Sequence, residues 1–153
     1  MRRVCADDAV EIPGPLSRVW QAVSDFAAYH RWWPSSAHLT VSRVTPELVG
    51  STFEIKPYGG KAFTVEVVGV EPDSALHMTY SGIYRGTGQW KVAASNDGNS
   101  LISYHIDLEI TDRSTALLSY VLPVSRIHSR LMRQVFEGLQ NQLASDAEST
   151  PPA

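Results

Sequence analysis

The sequence predicts a small α+β domain in which a curved antiparallel sheet encloses a long C-terminal helix. Between residues 38 and 110, apolar and polar residues alternate with a period of two, and turn sequences interrupt the alternation repeatedly. One strand and two short helical patterns precede this stretch, and a long pattern of helical period follows it. A chain of 153 residues with this order matches a single domain of ordinary size.

The N-terminal segment Arg2 to Ile12 predicts the first strand. Apolar residues occupy even positions such as Val4 and Val10, but Asp8 breaks the alternation, so we expect a local irregularity there. The strand ends before a Pro-Gly-Pro turn whose second proline suits the first turn of a helix.

Two short helices follow this turn. Apolar residues recur with helical spacing from Leu16 to Val23, which predicts an amphipathic helix. Ser24 or Asp25 can cap a second helix, Phe26 to Trp32. This helix should end near Pro34, because a proline disfavours the helical conformation of the residue before it.

The alternating region divides into six further strands at turn sequences rich in Gly, Pro, Asn and Asp. Because the turns are short, neighbouring strands should pair antiparallel. The predicted strands are Leu39 to Thr45, Ser51 to Lys56, Ala62 to Glu71, Ala75 to Ser81, Tyr84 to Ala94 and Ser100 to Thr111.

The C-terminal part predicts a long closing helix. From Ile127 to Leu143 an apolar residue recurs at every fourth position. Ahead of it, residues 114–124 are almost continuously apolar and contain Pro123, which would kink or interrupt a helix. This segment suits a gate over a cavity, a homodimer contact or core packing. Residues 145–153 are small, polar and proline-tipped, so we expect a disordered tail after a domain at 1–144.

Composition excludes several partners. A formal charge of −3 gives no positive field to attract nucleic acid. No apolar run approaches the roughly 20 residues of a membrane span, although transient membrane contact by a monomer or homodimer remains compatible with the sequence. The lone Cys5 cannot form an internal disulfide and suits a packed thiol in a cytoplasmic protein.

A family resemblance rests on the N-terminal motifs together with this order of elements. The motifs are Ile12-Pro13-Gly14-Pro15, Val19-Trp20, Asp25-Phe26, Tyr29 and Trp32-Trp33-Pro34. In these the chain resembles the SRPBCC (START-like, helix-grip) superfamily, and most of all its polyketide cyclase/dehydrase branch.

The resemblance implies a seven-stranded sheet wrapped around the closing helix, with a deep cavity whose mouth lies near the two short helices. It also implies binding or transport of a small hydrophobic ligand, such as a lipid, an isoprenoid or a polyketide-like molecule. The alternative is an aromatase/cyclase-type enzyme that acts on a polyketide-like substrate, and the sequence leaves open whether the protein is catalytic.

The candidate ligand-binding residues follow from the strand register. If even positions of the last three strands face inward, several aromatic side chains converge on one volume. Gly86 and Gly88 share this face, where they leave space or mark a bulge. Trp32 and Trp33 are adjacent, so at most one should line the cavity mouth. The predicted ligand contacts are Trp32, Trp33, Phe53, Met78, Tyr80, Tyr84, Trp90, Tyr104, Met132 and Phe136.

The sequence offers little catalytic chemistry. The weak candidates are Tyr80, Tyr104 and Arg85, and a bulge would be needed to turn Arg85 inward. The histidines, His128 included, show no metal-ligand spacing and suit a solvated surface, so neither a metal nor a cofactor is expected. A catalytic role requires a titratable group pointing inward beside the tyrosines, and the register predicts none.

Overall fold

The computed structural model describes residues 2–149 and has the predicted helix-grip architecture. Seven strands form one curved antiparallel sheet in the order β1-β7-β6-β5-β4-β3-β2. The elements are β1 Arg2–Ile12, α1 Leu16–Ser24, a 3₁₀ helix Phe26–Arg31, β2 Ala37–Arg43, β3 Thr52–Pro57, β4 Phe63–Glu71, β5 Ala75–Gly82, β6 Tyr84–Ala94, a 3₁₀ turn Asn96–Gly98, β7 Ser100–Ile110, α2 Arg113–Ser119 and α3 Val124–Ser149.

The sheet presents one apolar face to α3. In β7, every even residue from Ser100 to Ile110 is buried, whereas Leu101 is exposed and the other odd residues are less deeply buried. This follows from the two-residue repeat of a strand, which sends successive side chains to opposite faces. The predicted alternation of β5, β6 and β7 is therefore confirmed, and the aromatic residues of these strands share the concave face.

Specific hydrogen bonds join the two short helices to each other and the following corner to the sheet. Val23 of α1 is fully buried, and the Tyr29 hydroxyl donates to its carbonyl oxygen. At the corner before β2, the Trp33 indole donates to the carbonyl oxygen of Ala37 over 2.8 Å. These contacts fix the corner against the edge of the sheet.

α3 packs tightly between Val135 and Leu143. Val135 and Leu139 are fully buried, and Leu143 ends the apolar stripe at 4 % exposure. Gly138 lies so close to the 3₁₀ helix that a Cβ atom there would stand 2.0 Å from the Trp32 carbonyl oxygen. Only glycine permits this approach between the two backbones.

Three expectations about the N-terminal and C-terminal segments are wrong. β1 pairs with β7 without a register shift, so Asp8 causes no irregularity and simply points inward. Cys5 is exposed, because it occupies an odd, outward position of the same strand. α3 continues through residues 145–149, where alanine and glutamate support a helix beyond its last buried residue; residues 150–153 lie outside the described residues.

Pro123 separates two helices, since α2 ends at Ser119 and α3 begins at Val124. The side chains between the two helices do not pack in the core, so the interpretation of residues 114–124 as core packing is wrong. The exposed apolar residues of this segment are Leu117, Leu118, Tyr120, Val121 and Leu122. Within residues 2–149, no helix is long and apolar enough to cross a bilayer.

We predict that Leu139→Ala lowers the free energy of unfolding by about 2 to 5 kcal/mol, because it leaves a cavity in the tightest part of the core. The neighbouring Glu137 is exposed, so Glu137→Ala should change stability by no more than about 0.5 kcal/mol. Urea unfolding of both variants measures the difference. Equal stabilities would contradict the packing described for α3.

Candidate functional site

An apolar cavity of about 130 Å³ lies between the concave face of the sheet and the first half of α3. The sheet and the corner before β2 supply aromatic walls, and α3 closes the remaining side. The aromatic lining consists of Phe26, Tyr29, Trp33, Phe53, Phe63, Tyr80, Tyr84, Trp90 and Tyr104. The α3 lining consists of Val124, Ile127, His128, Leu131 and Met132.

Most of the predicted ligand contacts lie on this cavity. Trp33, Phe53, Met78, Tyr80, Tyr84, Trp90, Tyr104 and Met132 line it. Trp32 does not, because it is buried beside α3 at the Gly138 contact. Phe136 also lies outside the lining and packs edge-to-face on Trp90, with ring centroids 6.2 Å apart.

Two tyrosines form the polar centre of the sheet wall. The hydroxyl oxygens of Tyr80 and Tyr104 are 2.5 Å apart, so one hydroxyl donates to the other. Burial raises the pKa of Tyr80 to about 12 and holds that of Tyr104 well above its ordinary value. Both are therefore neutral phenols at neutral pH, and the accepting hydroxyl keeps a proton that it can donate elsewhere.

Gly88 of β6 makes room for this pair. A Cβ atom at Gly88 would lie 2.6 Å from the Tyr104 hydroxyl oxygen and 2.9 Å from Cε1 of Tyr80. Gly86, two residues earlier, has a φ of +151°, and a Cβ there would lie 2.1 Å from the Asp107 carbonyl oxygen. Gly88 thus permits the close approach of the two tyrosine side chains, and Gly86 permits the close approach of the β7 backbone.

Arg85 lies outside the cavity. β6 shows no register shift against β5 or β7, so the bulge that would turn this side chain inward does not occur. Arg85 instead faces solvent and pairs with Glu109 at 3.1 Å. The structure therefore brings Tyr80 and Tyr104 to the cavity but not the third weak catalytic candidate.

A buried histidine lies beside the tyrosines, contrary to the sequence-based expectation. The His128 imidazole lines the cavity and stacks on the Tyr104 ring, with centroids 6.0 Å apart and planes at 29°. Its Nδ1 is 3.7 Å from Oδ2 of Asp8, and the two side chains are only 17 % and 14 % exposed. The expectation that no titratable group points inward is wrong.

The sequence does contain a signal for both residues. His128 lies four residues from Val124 and four from Met132, within the apolar stripe of α3. Asp8 occupies an even position of β1 and is paired in register with Tyr104. Each polar residue therefore lies on the face of its own element that points inward.

Burial lowers the pKa of His128, and the neighbouring Asp8 carboxyl group offsets part of this effect. The other charges near β7 lie on the outer face, where Arg3 donates to Asp107 and holds the pKa of that carboxyl near 2. Within the described part of the chain, no three His, Cys, Asp or Glu side chains are grouped closely enough to bind a metal ion.

Comparisons with known proteins agree with this architecture. A sequence model of the family described as polyketide cyclase / dehydrase and lipid transport matches residues 3–144. No curated protein matches the sequence.

Solved structures share the fold at low sequence identity. The protein TTHA0849 of Thermus thermophilus is 15 % identical with a TM-score of 0.73, over 96 % of this chain and 100 % of that one. A START superfamily protein of Mycobacterium smegmatis is 13 % identical with a TM-score of 0.70, over 92 % and 97 %. The ZhuI aromatase/cyclase of Streptomyces sp. R1128 is 12 % identical with a TM-score of 0.66, over 96 % and 94 %.

We predict that the imidazole of His128 titrates below its ordinary pKa of 6.5. Below about pH 6.5 the histidine is therefore protonated more readily in the unfolded chain than in the folded chain. The free energy of unfolding consequently falls as the pH drops below this value. An NMR titration of the imidazole resonances measures the midpoint directly. His128→Gln should flatten the fall in stability between neutral and mildly acid pH, whereas His38→Gln, at an exposed position, should not. A midpoint at or above the ordinary value would contradict the burial of this side chain.

Proposed function

The chain belongs to the polyketide cyclase/dehydrase and lipid transport family, and on that premise we propose that it binds or carries a small hydrophobic ligand inside its cavity. The observation that supports this proposal is the aromatic-lined space at the centre of the fold, where an ordinary domain would be close-packed. Lipids, isoprenoids and polyketide-like molecules are the ligand classes that match such a lining.

The cavity volume bears on the size of the ligand. At about 130 Å³ the cavity is close to an engineered apolar cavity of roughly 150 Å³ that binds benzene. A ligand with one ring fits this volume, whereas a longer lipid requires the wall formed by the start of α3 to move outward.

We propose that the ligand enters at the junction of α2 and α3, and not near the two short helices as the family resemblance implies. Five large apolar side chains are exposed here, among them Leu118 at 57 % and Val121 at 81 %. Val124 and Ile127, which follow directly, line the cavity. Two contacts hold the ends of α2: Lys61 pairs with Asp112 at 2.9 Å, and Arg2 lies 4.5 Å above the Tyr120 ring.

An exposed apolar surface of this kind also suits transient contact with a membrane or with a second copy of the chain. Sedimentation with and without lipid vesicles distinguishes these two partners. The free, exposed thiol of Cys5 suits a reducing compartment, and on that ground we propose a cytoplasmic location.

The second candidate function is an aromatase/cyclase-type enzyme that acts on a polyketide-like substrate. His128 favours it, because general acid–base catalysis needs a titratable group within hydrogen-bond reach of the reacting proton. Mass spectrometry of a bound polyketone separates the two functions. A carrier returns the compound unchanged, whereas a cyclase that dehydrates it returns a product lighter by one water.

We predict that Ile106→Phe weakens the binding of toluene by about tenfold or more, equivalent to about 1.4 kcal/mol, because the larger side chain fills the cavity. Leu101→Phe is the matched control, since it places the same side chain on the outer face of the same strand. Calorimetric titration gives the affinities, and circular dichroism checks the fold. Equal affinities in both variants would place the toluene outside the cavity.

A further inference from the structure

Asp8 and His128 form a second polar pair at the cavity, beside the tyrosine pair. Nδ1 of His128 and Oδ2 of Asp8 are 3.7 Å apart, which is longer than a hydrogen bond. Among the described residues, these two are the buried side-chain polar atoms that have no hydrogen-bond partner. The pair joins the two ends of the chain, because Asp8 belongs to β1 and His128 to α3.

Stability does not account for this arrangement. Buried polar atoms without partners cost free energy, and apolar side chains of similar size at the two positions would avoid that cost. Groups that a fold keeps at such a cost are found preferentially at functional sites. The position of His128 on the cavity wall, rather than deep in the tightly packed stretch of α3, agrees with a role toward a ligand.

The position of Asp8 determines which ring nitrogen of His128 carries the hydrogen. A carboxyl group facing Nδ1 favours the tautomer that carries its hydrogen on Nδ1. Nε2 is then the unprotonated nitrogen and can accept a hydrogen bond on the cavity side. Asp8 acts here as a positioning residue, because it orients the imidazole.

The tyrosine pair supplies the complementary group. Tyr104 of β7 stacks on the His128 imidazole of α3, so the tyrosine pair and the histidine meet where the sheet wall of the cavity adjoins α3. One of the two hydroxyls has a proton left to donate, as described above. The cavity lining therefore holds both a hydrogen-bond acceptor and a hydrogen-bond donor.

The charge of the lining restricts the ligand further. Among the described residues, no lysine and no arginine lines the cavity, and the Asp8 carboxyl group lies 3.7 Å from the lining residue His128. A carboxylate or phosphate would find no counter-charge there and would lose its hydration. A neutral hydroxyl group meets neither obstacle, because its hydrogen can be donated to Nε2 while its oxygen accepts from a tyrosine.

We propose that this wall recognises the hydroxyl group of a small planar ligand, a phenol or an enol, with its hydrogen donated to His128 and its oxygen accepting from the Tyr80–Tyr104 pair. The inference rests on the proposed function, since it names the ligand class of the same cavity. A planar ring is favoured because aromatic pairs, such as the edge-to-face pair of Trp90 and Tyr104 with centroids 4.8 Å apart, gain energy beyond the area they bury.

Phenol and toluene are suitable probes, because they share one ring and differ in a hydroxyl against a methyl group. In the unmodified protein both should bind. His128→Phe should lower the ratio of phenol affinity to toluene affinity by about tenfold, the effect of one lost hydrogen bond of ordinary strength. His105→Phe, on the outer face of β7, should leave the ratio unchanged.

A second measurement does not depend on the variant folding. Phenol, but not toluene, should shift the Nε2 resonance of His128 in the ¹⁵N spectrum of the unmodified protein. Asp8→Asn should change the imidazole tautomer, which a merely structural role of Asp8 would leave unaltered.

The outcomes separate the two proposals. If neither probe binds, the proposed function and this inference both fail. If toluene binds but phenol leaves the Nε2 resonance in place, or the affinity ratio is the same in folded His128→Phe, the inference alone is overturned.

Discussion

The cavity depends on one constraint, namely that α3 packs tightly from Val135 to Leu143 whereas the turns before this stretch line the cavity. Gly138 brings the helix against the carbonyl of Trp32, and Leu139 and Val135 are fully buried beside this contact. The cavity lies against the turns of α3 that precede this contact, where Ile127 and Leu131 line it. Because the Gly138 contact holds α3 in place, the start of the helix can line a cavity without loss of the fold.

The polar groups of the cavity are placed by the same geometry. Asp8 and Tyr104 are paired across neighbouring strands, so both project from one place on the concave face. His128 enters from the part of α3 that lines the cavity and meets them. These buried polar groups lower stability, but the fold tolerates them because the tight packing contacts lie elsewhere, around Gly138 of α3.

Much of the fold was predictable because local patterns determine it. The two-residue repeat of β5 to β7 was sufficient to place Met78, Tyr80, Trp90 and Tyr104 on the cavity face. The helical period identified α3, but it does not show which part of the apolar stripe faces the cavity. Phe136 was therefore included among the predicted ligand contacts, although it lies outside the lining and packs edge-to-face on Trp90. That distinction depends on sheet curvature, which no local pattern contains.

The Asp8–His128 pair was missed for a related reason. Taken alone, Asp8 looks like an interruption of a strand and His128 like a surface histidine, and only the pairing of β1 beside α3 brings the two together. For Arg85 the strand alternation alone predicted a solvent-facing side chain, and the bulge that would have turned it inward does not occur. Alternation thus placed the side chains of β5 to β7, whereas the contact between β1 and α3 had no counterpart in any local pattern.

The central claim is that an open apolar space lies between the sheet and the first half of α3. A crystal structure determined under xenon pressure tests it most directly, because xenon occupies dry apolar cavities and is visible by its scattering. We expect xenon among Trp90, Ile106 and Met132, with α3 unmoved. Side chains that meet across this space, with no xenon between them, would contradict the account.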